Sequence, residues 1–557
     1  MATFSDLPTE MKAAVFAYIR QNRHRRAVCL VSREFRDVMS PLLWKTLKLR
    51  EATTLPGDLA SLLSADNRVL AHVRIIDIYT EMKGDVDFDP NSEFGLVVRL
   101  IIGALTKNCL TGIIIGIRIK MSIVLSLLQN QQSLEVLWLR TIIPDQGTAL
   151  NMSLATHGSW VTRTLQNIRK LRIPISVENT HAYENSAYLL KNTPNLRTLC
   201  LKGTSKVTSL LDHSNGNDVF GGPYTEEAVD STLQLKTLHL LWLDFTPYPA
   251  SLLKCVEFPN IRNLSISQCR NIAAFLTALV AAVPQATALR ELEVSMRSKP
   301  VPLDTDIQAM EALVSSAPFL EKVWLDVGTG RAVDVSCLSG NGKSLRQLTL
   351  AASSKIQPPA YYTISELGKL IDQTPKLEML AVNLCPVRLG SARYLAANFK
   401  LPAQEHDEVT SYLVCIYSQV EKCYSQKTQE CIARHRNLKS LRAITVPSID
   451  FGIVPNPSYQ DRIALPEDYV QISRVMMQTF AKEVIRYLAQ RGSKIRTMVI
   501  SPDSITGMTR PTRDENGHIW PRYFYTYGIA RNIHGEEHVV AVPAKMRDVE
   551  FCERATR

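Results

Sequence analysis

The stretch that decides the fold is Pro259-Asn-Ile-Arg-Asn-Leu-Ser-Ile-Ser-Gln-Cys269. Its apolar residues are Ile261, Leu264 and Ile266, and the ninth position of the pattern is a cysteine. The same spacing returns in Pro375-Lys-Leu-Glu-Met-Leu-Ala-Val-Asn-Leu-Cys385. Alternating apolar residues predict a short strand with one buried face. Because proline disfavours helix in the residue before it, any preceding helix should end there.

The same apolar pattern recurs along the chain at intervals of 24 to 39 residues. Its first position falls at Trp44, Val73, Leu110, Leu134, Ile168, Leu196, Leu235, Ile261, Leu289, Leu320, Leu345 and Leu377, with weaker copies at Leu438 and Ile495. In four copies a proline lies two residues before the first position: Pro194, Pro259, Pro318 and Pro375. Amphipathic helical stretches precede three of these prolines, over residues 186–193, 310–317 and 366–374. The unit is therefore helix, stop and strand, which is too short to fold alone but can stack on its neighbours.

This unit resembles the leucine-rich repeat, and residues 261–269 and 377–385 complete its longer consensus. The resemblance implies an α/β solenoid with parallel strands on the concave face and helices on the convex face. It also implies that Cys269 and Cys385 turn inward and are structural. The uneven spacing departs from the family pattern and leaves the curvature and the number of repeats open.

The first 50 residues differ from the rest in charge. They hold ten lysines and arginines against four acidic residues, a net charge of +6, whereas residues 51–557 carry only +5. A nucleic-acid-binding protein usually has a basic stripe over its main domain, so this balance argues against nucleic acid as a partner. The basic end favours an acidic protein partner.

Helical spacing of apolar residues in this region predicts two or three short helices. The first should begin at Pro8, and a second stripe runs from Val28 until Pro41 interrupts it. A basic linker is expected over residues 20–26. So small a module cannot bury enough surface alone, and it must pack on the rest of the chain, on a partner, or on both.

Three segments resemble the F-box: Leu7-Pro8-x-Glu10, then Val28-Cys-Leu-Val-Ser-Arg-x-Phe35-Arg36, then Leu42-Leu43-Trp44. The F-box is the helical module by which substrate receptors dock on the acidic Skp-type adaptor of cullin–RING ubiquitin ligases. Many members have tryptophan where this chain has Phe35. The other interpretation of these helices is a cap that covers the end of the repeats.

The F-box resemblance implies an adaptor-binding surface that begins with Leu7 and Pro8, which would insert into the adaptor. The remaining apolar contact, or the module's own small core, would be formed by Val15, Ile19, Leu30, Val31 and Phe35. The predicted domains are an F-box at residues 1–45, an irregular leucine-rich-repeat solenoid at 46–395 and a C-terminal region at 396–557.

Side chains between the second and third apolar residues of each strand should project from the concave sheet. Tryptophans there could anchor a target protein, and the neighbouring basic residues suit an acidic or phosphorylated segment. The candidate target-binding residues are Trp138, Arg140, Arg172, Lys202, His239 and Trp324. The alternative is that loops or the C-terminal region cover these side chains.

The C-terminal region fits the repeat poorly. A helical insertion is expected over residues 404–436, where cysteines every eight residues drift around the helix and cannot converge on one metal. A helix over 467–490, a strand over 495–500 and a hairpin around Gly535 should follow. The aromatic cluster of this hairpin, which includes Trp520 and Tyr523, is expected to pack rather than to bind nucleobases.

Two fragments imitate catalytic motifs. His534-Gly-Glu-Glu-His538 has the spelling of a zinc-protease helix, but Gly535 and the valines after it favour a turn and a strand. Gly342-Lys-Ser344 has the end of a phosphate-binding loop, yet a strand follows where a helix should begin. We therefore expect no catalytic residue, no metal and no cofactor.

Residues 271–289 are uncharged, but their polar side chains and Pro284 favour a buried helix over a membrane span. Eleven cysteines without a CxxC pair favour a reducing compartment, and thus the cytoplasm, the nucleus or both. The sequence predicts a non-catalytic substrate receptor of a Skp–cullin–F-box ubiquitin ligase, whose partners are the adaptor, a cullin through it, and an unidentified target protein. The alternative is a leucine-rich-repeat scaffold or inhibitor that recruits no ligase.

Overall fold

The computed structural model describes most of the 557-residue chain. The described residues are 4–19, 22–50, 62–64, 69–79, 93–143, 159–175, 182–203, 208–209, 211–212, 217–218, 222–223, 232–246, 250–283, 288–296, 304–327, 331–352, 360–384, 388–391, 422–444, 448–450, 467–500 and 523–544. The chain divides into two compact units, Met1–Ile261 and Arg262–Arg557. Both units are mixed α/β, and their main strands pair mostly in parallel.

The first unit begins with three helices and continues with alternating strands and helices. Its helices are α1 (Thr9–Ala17), α2 (Asn22–Cys29), α3 (Arg33–Leu43), α4 (Val69–His72), α5 (Glu93–Ala104), α6 (Met121–Asn130), α7 (Ser159–Leu165), α8 (Ala182–Lys191) and α9 (Ala250–Cys255). Its main strands are β1 (Thr46–Arg50), β2 (Ile75–Tyr79), β3 (Gly112–Lys120), β4 (Val136–Ile143), β5 (Lys170–Ile175), β6 (Thr198–Gly203) and β7 (Thr237–Leu241). Each strand pairs in parallel with the next along the chain.

The apolar positions of the repeat pattern lie on the buried face of these strands, as the sequence predicts. That face carries Leu47, Leu49, Ile76, Ile78, Ile113, Ile115, Leu137, Leu139, Leu171, Ile173, Leu199, Leu201, Leu238 and Leu240. Helix α6 packs against β3, and α8 packs against β5. Because side chains alternate along a strand, the positions between these residues point to the opposite face.

The second unit continues the same alternation. Its helices are α10 (Ala273–Ala282), α11 (Asp304–Ser316), α12 (Ile364–Gln373), α13 (Lys422–Ala433) and α14 (Glu467–Gln490). Its main strands are β8 (Asn263–Ser267), β9 (Glu291–Met296), β10 (Lys322–Val327), β11 (Gln347–Ala352), β12 (Met379–Val382), β13 (Ser440–Ala443), β14 (Thr497–Ile500), β15 (Tyr523–Arg531) and β16 (Glu537–Pro543). Strands β8 to β14 pair in parallel, and β15 and β16 add an antiparallel hairpin.

Three short turns of 3₁₀ helix and several very short strands complete the described elements. The 3₁₀ turns are Phe4–Asp6, Phe258–Asn260 and Val335–Asn341. The short strands are Thr208–Ser209, Leu211–Asp212, Asn217–Asp218, Gly222–Pro223, Leu243–Asp244, Arg388–Ser391 and Ser448–Asp450. They lie outside the main parallel rows and do not alter the alternation of strand and helix.

Helix ends follow the prolines as predicted. Helices α8, α11 and α12 end two or three residues before Pro194, Pro318 and Pro375. Helix α10 lies within residues 271–289 with Phe275, Leu276 and Leu279 buried, so that stretch contains a core helix. Among the described residues, no helix has both the length and the apolar character needed to cross a bilayer.

Two local predictions near the N-terminus are wrong. The expected linker at residues 20–26 is largely helical, because α2 begins at Asn22. Helix α3 also does not stop at Pro41 but continues to Leu43. Proline near the end of a helix removes one backbone donor, and the packing of α3 on α1, α2 and α4 holds the last turn in place.

The C-terminal elements largely match their predictions. Helix α14 has the predicted bounds, β14 lies within the predicted strand, and β15 and β16 form the hairpin with Gly535 in a left-handed turn (φ 81°). Of the aromatic cluster, Tyr523, Phe524 and Tyr525 are buried, whereas Trp520 lies outside the described residues. Most of the predicted 404–436 insertion, and the boundary after residue 395, also lie outside them.

Candidate protein-docking sites

The N-terminal helical module, residues 4–43, has its own small aromatic core. Phe16 and Met39 are buried, and Phe35 packs against them. The Phe16 and Phe35 ring centroids are 5.3 Å apart, and Phe4 lies 5.6 Å from each. These edge and tilted contacts are favourable aromatic geometries, so α1 and α3 are held together by a defined core.

Polar contacts fix the path of the chain through this module. The Lys12 ammonium is buried and forms an ion pair with Glu34 across α1 and α3. Arg25 of α2 donates from Nε to the Ile19 carbonyl (2.7 Å) and from a terminal nitrogen to the Leu42 carbonyl (2.9 Å). A guanidinium that bonds carbonyls at two helix ends fixes the arrangement of all three helices.

Apolar side chains are exposed on this module to an unusual degree. Thirteen large apolar residues are exposed among the residues that the structure describes, and six of them lie in the first 31 positions. We call these six the exposed apolar set: Phe4, Met11, Val15, Tyr18, Leu30 and Val31. Exposed apolar side chains concentrated on one small element are a feature of surfaces that bind other molecules.

Leu30 and Val31 form the most exposed part of this set. They are 87% and 68% exposed and lie in the turn between α2 and α3. Their backbone N–H groups donate to Ala27 and Val28 carbonyls at 3.1 Å each, and Ser32 caps α3 by accepting from the Phe35 N–H. The turn is therefore hydrogen-bonded on both sides, and these bonds fix the backbone that presents the two apolar side chains to solvent.

The predicted adaptor-binding residues fall into two groups. Pro8, Val15, Leu30 and Val31 are exposed, whereas Leu7, Ile19 and Phe35 are half-buried. Ile19 and Phe35 pack against the module core, which is the second of the two roles that the resemblance left open for them. Met11 and Tyr18 share the α1 face with Val15 and extend the exposed set beyond the predicted residues.

A second candidate site lies on the face of β1 to β7 opposite the buried one. The parallel register aligns one residue from each strand into a row that we call the central row: Lys48, Asp77, Ile114, Trp138, Arg172, Cys200 and His239. Cys200 is buried, Lys48 is exposed, and the other five are half-buried. The face is therefore open to solvent in part, as a binding surface must be.

This open face is basic. Its described strand residues include six cations, Lys48, Arg50, Arg140, Lys170, Arg172 and Lys202. Asp77 is the single acidic residue among the described strand residues of this face. Burial raises the pKa of the Asp77 carboxyl, and this effect outweighs the nearby Lys48 and Arg50 charges, which lower it. The sequence predicted Arg140, Arg172, Lys202 and His239 here, and the register adds Lys48, Arg50 and Lys170 from neighbouring strands.

Arg172 lies at the centre of the row. Its guanidinium carbon is 5.9 Å from the centroid of the Trp138 ring, a cation–π contact. Its Nε is buried without a hydrogen-bond partner among the described residues, and so is Nδ1 of His239. Buried polar atoms are normally hydrogen-bonded, so these two nitrogens have unused capacity. Arg140, by contrast, donates to the Gly116 carbonyl at 3.0 Å.

The environment of His239 gives the first unit a testable pH dependence. Burial lowers the pKa of His239, and the Arg172 charge lowers it further. The unfolded chain, with a histidine pKa of about 6.5, then binds the proton more readily than the folded chain. Stability is therefore full above about pH 6.5 and falls as the pH drops through that value toward the folded pKa.

Replacing His239 by glutamine is expected to reduce that loss. Urea unfolding of both proteins between about pH 7.5 and 5.5 measures it, since the other histidines are common to both. The wild type should lose more stability than the variant over this interval. Equal losses would show that His239 does not titrate between the folded and unfolded states.

Trp324 does not present the exposed ring that the target-binding hypothesis expects. It is only 7% exposed, and its neighbours in the parallel register, Thr349 and Ala381, are also buried. The equivalent face in the second unit is thus covered at these strands. Trp324 lies in the second unit and the other five predicted target-binding residues lie in the first, so only those five belong to the open basic face.

One exposed residue escaped the sequence analysis. Trp242 follows β7 directly, is 39% exposed and has a left-handed backbone (φ 59°). This conformation costs roughly 1–2 kcal/mol for a residue with a side chain. The only sequence signal is its position after the strand, which is the position that Gln268 has after β8. In the structure both residues have a φ of 59°.

The fragments that imitate catalytic motifs have structural roles. Glu537 and His538 lie in β16, not on a helix, and Glu537 pairs with Arg531 at 3.0 Å. Ser344 donates to the Leu320 carbonyl, and β11 follows it, not a helix. Cys269 is buried as predicted, whereas Cys385 lies outside the described residues. No described group of three or more histidine, cysteine or acidic residues could hold a metal ion.

Comparison with known proteins adds no relative. No protein-family model matches the chain, and no curated protein is similar to it in sequence.

Proposed function

We propose that this chain is the substrate-recognition subunit of a Skp–cullin–F-box ubiquitin ligase, with an F-box at its N-terminus and leucine-rich repeats after it. The observation that carries the proposal is the exposed apolar set on the N-terminal helical module. Leu30 and Val31 belong to the same segment that resembles the F-box in sequence. Burying two such side chains on a partner can contribute about 1.5–3 kcal/mol each.

The competing role of a cap is less consistent with this surface. A terminal cap has a polar outer face, because it must separate a repeat stack from water. Here the module has a core of its own around Phe16 and still exposes apolar side chains on α1 and in the turn before α3. Exposed arginines of α2 and α3, Arg23, Arg26, Arg33 and Arg36, add positive charge, which suits an acidic adaptor.

The open basic face of the first unit is the proposed site for the target protein. It is on strands, which position side chains rigidly, and it combines Trp138 with cations. The protein would contribute proximity and orientation, and the ligase's other subunits would perform the transfer chemistry. The seven cysteines whose side chains the structure describes are free thiols, which supports a cytoplasmic or nuclear setting.

Co-purification from cells tests this proposal. The tagged full-length chain is expected to bring down a Skp-type adaptor and, through it, a cullin. A chain that captures a target protein but neither ligase subunit would instead support the scaffold or inhibitor role.

A further inference from the structure

We infer that the open basic face of the first unit binds an acidic protein segment, with a carboxylate or phosphate held at Arg172 and an apolar side chain of the same segment held at Trp242. This inference rests on the proposed function, since it names the chemical class of the target. It also makes Trp242 a recognition residue.

Charge complementarity identifies the class of ligand. The described side chains of the face include six cations and one acid, and burial already disfavours the charged form of that acid. Adjacent parallel strands lie about 4.8 Å apart, so the cations of β4, β5 and β6, which are Arg140, Lys170, Arg172 and Lys202, form a group that an extended acidic segment can follow across three strands. In the second unit, Glu291, Glu293 and Asp326 share the corresponding face with Lys322 and Arg442, so a basic face is not a general consequence of the repeat.

Arg172 is the best-placed cation for an anion. It is half-buried, which reduces screening by water, and no ion pair of its guanidinium occurs among the described residues. Trp138 covers one side of the group through the cation–π contact. A carboxylate or phosphate from a partner would supply the acceptor that the Nε nitrogen lacks, and charge-assisted bonds of this kind are the strong ones.

His239 strengthens the same point from β7. Its Nδ1 is also without a partner, and the groups facing the ring from the neighbouring strand are Cys200 and Lys202, with Arg172 one strand further. Neither β5 nor β6 contains an acidic residue. An anion placed between Arg172 and His239 would accept a hydrogen bond from the Arg172 Nε–H, and from His239 in the tautomer that carries its proton on Nδ1.

Trp242 supplies the apolar part of the site. It directly follows Leu241 of β7, whose register partner on β6 is the cation Lys202, and it remains exposed although its backbone is strained. Strained residues persist where the surrounding structure fixes them, and such residues cluster at ligand-binding sites. Tryptophan and arginine are among the residue types that most often dominate protein–protein binding energy.

The same observations favour a protein segment over a nucleic acid. Arg172 occupies one face of the Trp138 ring, so at most one face of this ring remains for stacking a base. Residues 51–557 as a whole are also close to neutral.

Fluorescence anisotropy with the full-length protein tests the inference. The probes are a labelled glutamate-rich peptide with one phenylalanine, its phosphoserine form, its glutamine form, a form with glycine in place of phenylalanine, and single-stranded RNA of matched charge. Both acidic peptides should bind more tightly than the glutamine form, and the tighter of the two identifies carboxylate or phosphate as the preferred anion. Binding should weaken as salt rises.

The variants separate a recognition role from a structural one. Arg172→Ala should weaken acidic-peptide binding about tenfold or more, whereas Arg262→Ala, the charge-matched control in the second unit, should change it less than about twofold. Trp242→Asn should weaken only the phenylalanine peptide. It should leave the melting temperature unchanged or raise it, because asparagine tolerates a positive φ.

The inference would be overturned if the acidic and glutamine peptides bound equally, or if Arg172→Ala and Arg262→Ala had equal effects. Tighter binding of RNA than of the acidic peptides would also overturn it. A Trp242→Asn protein that is less stable but binds both peptides normally would overturn the role of Trp242. Adaptor docking depends on the N-terminal helical module, which is separate from the open basic face. A failure of peptide binding therefore leaves the adaptor co-purification result intact, and a failure of adaptor co-purification leaves the peptide-binding result intact.

Discussion

Replacing Leu30 and Val31 together by glutamate is expected to abolish co-purification of a Skp-type adaptor while leaving thermal unfolding unchanged. Both side chains are mostly exposed, so the free protein loses no packing. In the complex the variant would lose about 3 kcal/mol or more of apolar burial and would also place two carboxylates in an apolar contact. Affinity should fall by about 100-fold at the least.

The matched control is Ile529→Glu with Ile533→Glu on the β15–β16 hairpin. These residues are also exposed and apolar, and the same charge is added there. That protein should retain the adaptor. If both double variants recovered the same amount of adaptor, the turn before α3 would not be part of the docking surface. Leu7→Ala with Pro8→Ala should also weaken docking, because Pro8 is exposed beside the first turn of α1.

Gly342→Ala is expected to destabilise the second unit by about 3 kcal/mol or more, which is severe for the addition of one methyl group. A Cβ built at Gly342 would overlap the carbonyl oxygen of Gln373 at the end of α12. The overlapping atoms of Gln373 belong to the backbone, so the overlap cannot be relieved without moving the end of α12 or the chain at Gly342. The adjacent Asn341 side chain already ties this loop to the carbonyl of Val314 at 2.8 Å.

Gly340→Ala is the control, two residues away in the same loop. There the new Cβ would meet only the Ser315 carbonyl oxygen at 3.7 Å, an ordinary contact. Urea unfolding should show a large shift for Gly342→Ala and little change for Gly340→Ala. Similar stabilities for the two variants would mean that the close approach of Gly342 to α12 is absent in solution.

Local patterns in the sequence predicted the elements that local rules determine. Proline disfavours helix in the residue before it, and alternating apolar residues mark a half-buried strand, so α8, α11, α12 and the strands after them could be located. Helix α14 and the Gly535 hairpin follow from equally local signals. The same logic located the inward positions of β1 to β7.

The failures concern features that depend on distant parts of the chain. The basic segment before Cys29 is helical because Arg25 bonds carbonyls at the ends of two other helices, which no charge count reveals. The burial of Trp324 depends on what covers its face, and its strand has the same pattern as the strand of half-buried Trp138. Trp242 lies outside the apolar pattern, so its backbone strain is visible only in the fold.

The most direct test of the central claim is hydrogen–deuterium exchange of the full-length protein with and without a purified Skp-type adaptor. The proposal predicts a stable complex in which protection increases in α1 and in the turn at Leu30 and Val31, with no change on the strands of the open basic face. A mixture that forms no complex, or a complex whose protection lies outside residues 4–43, would contradict it.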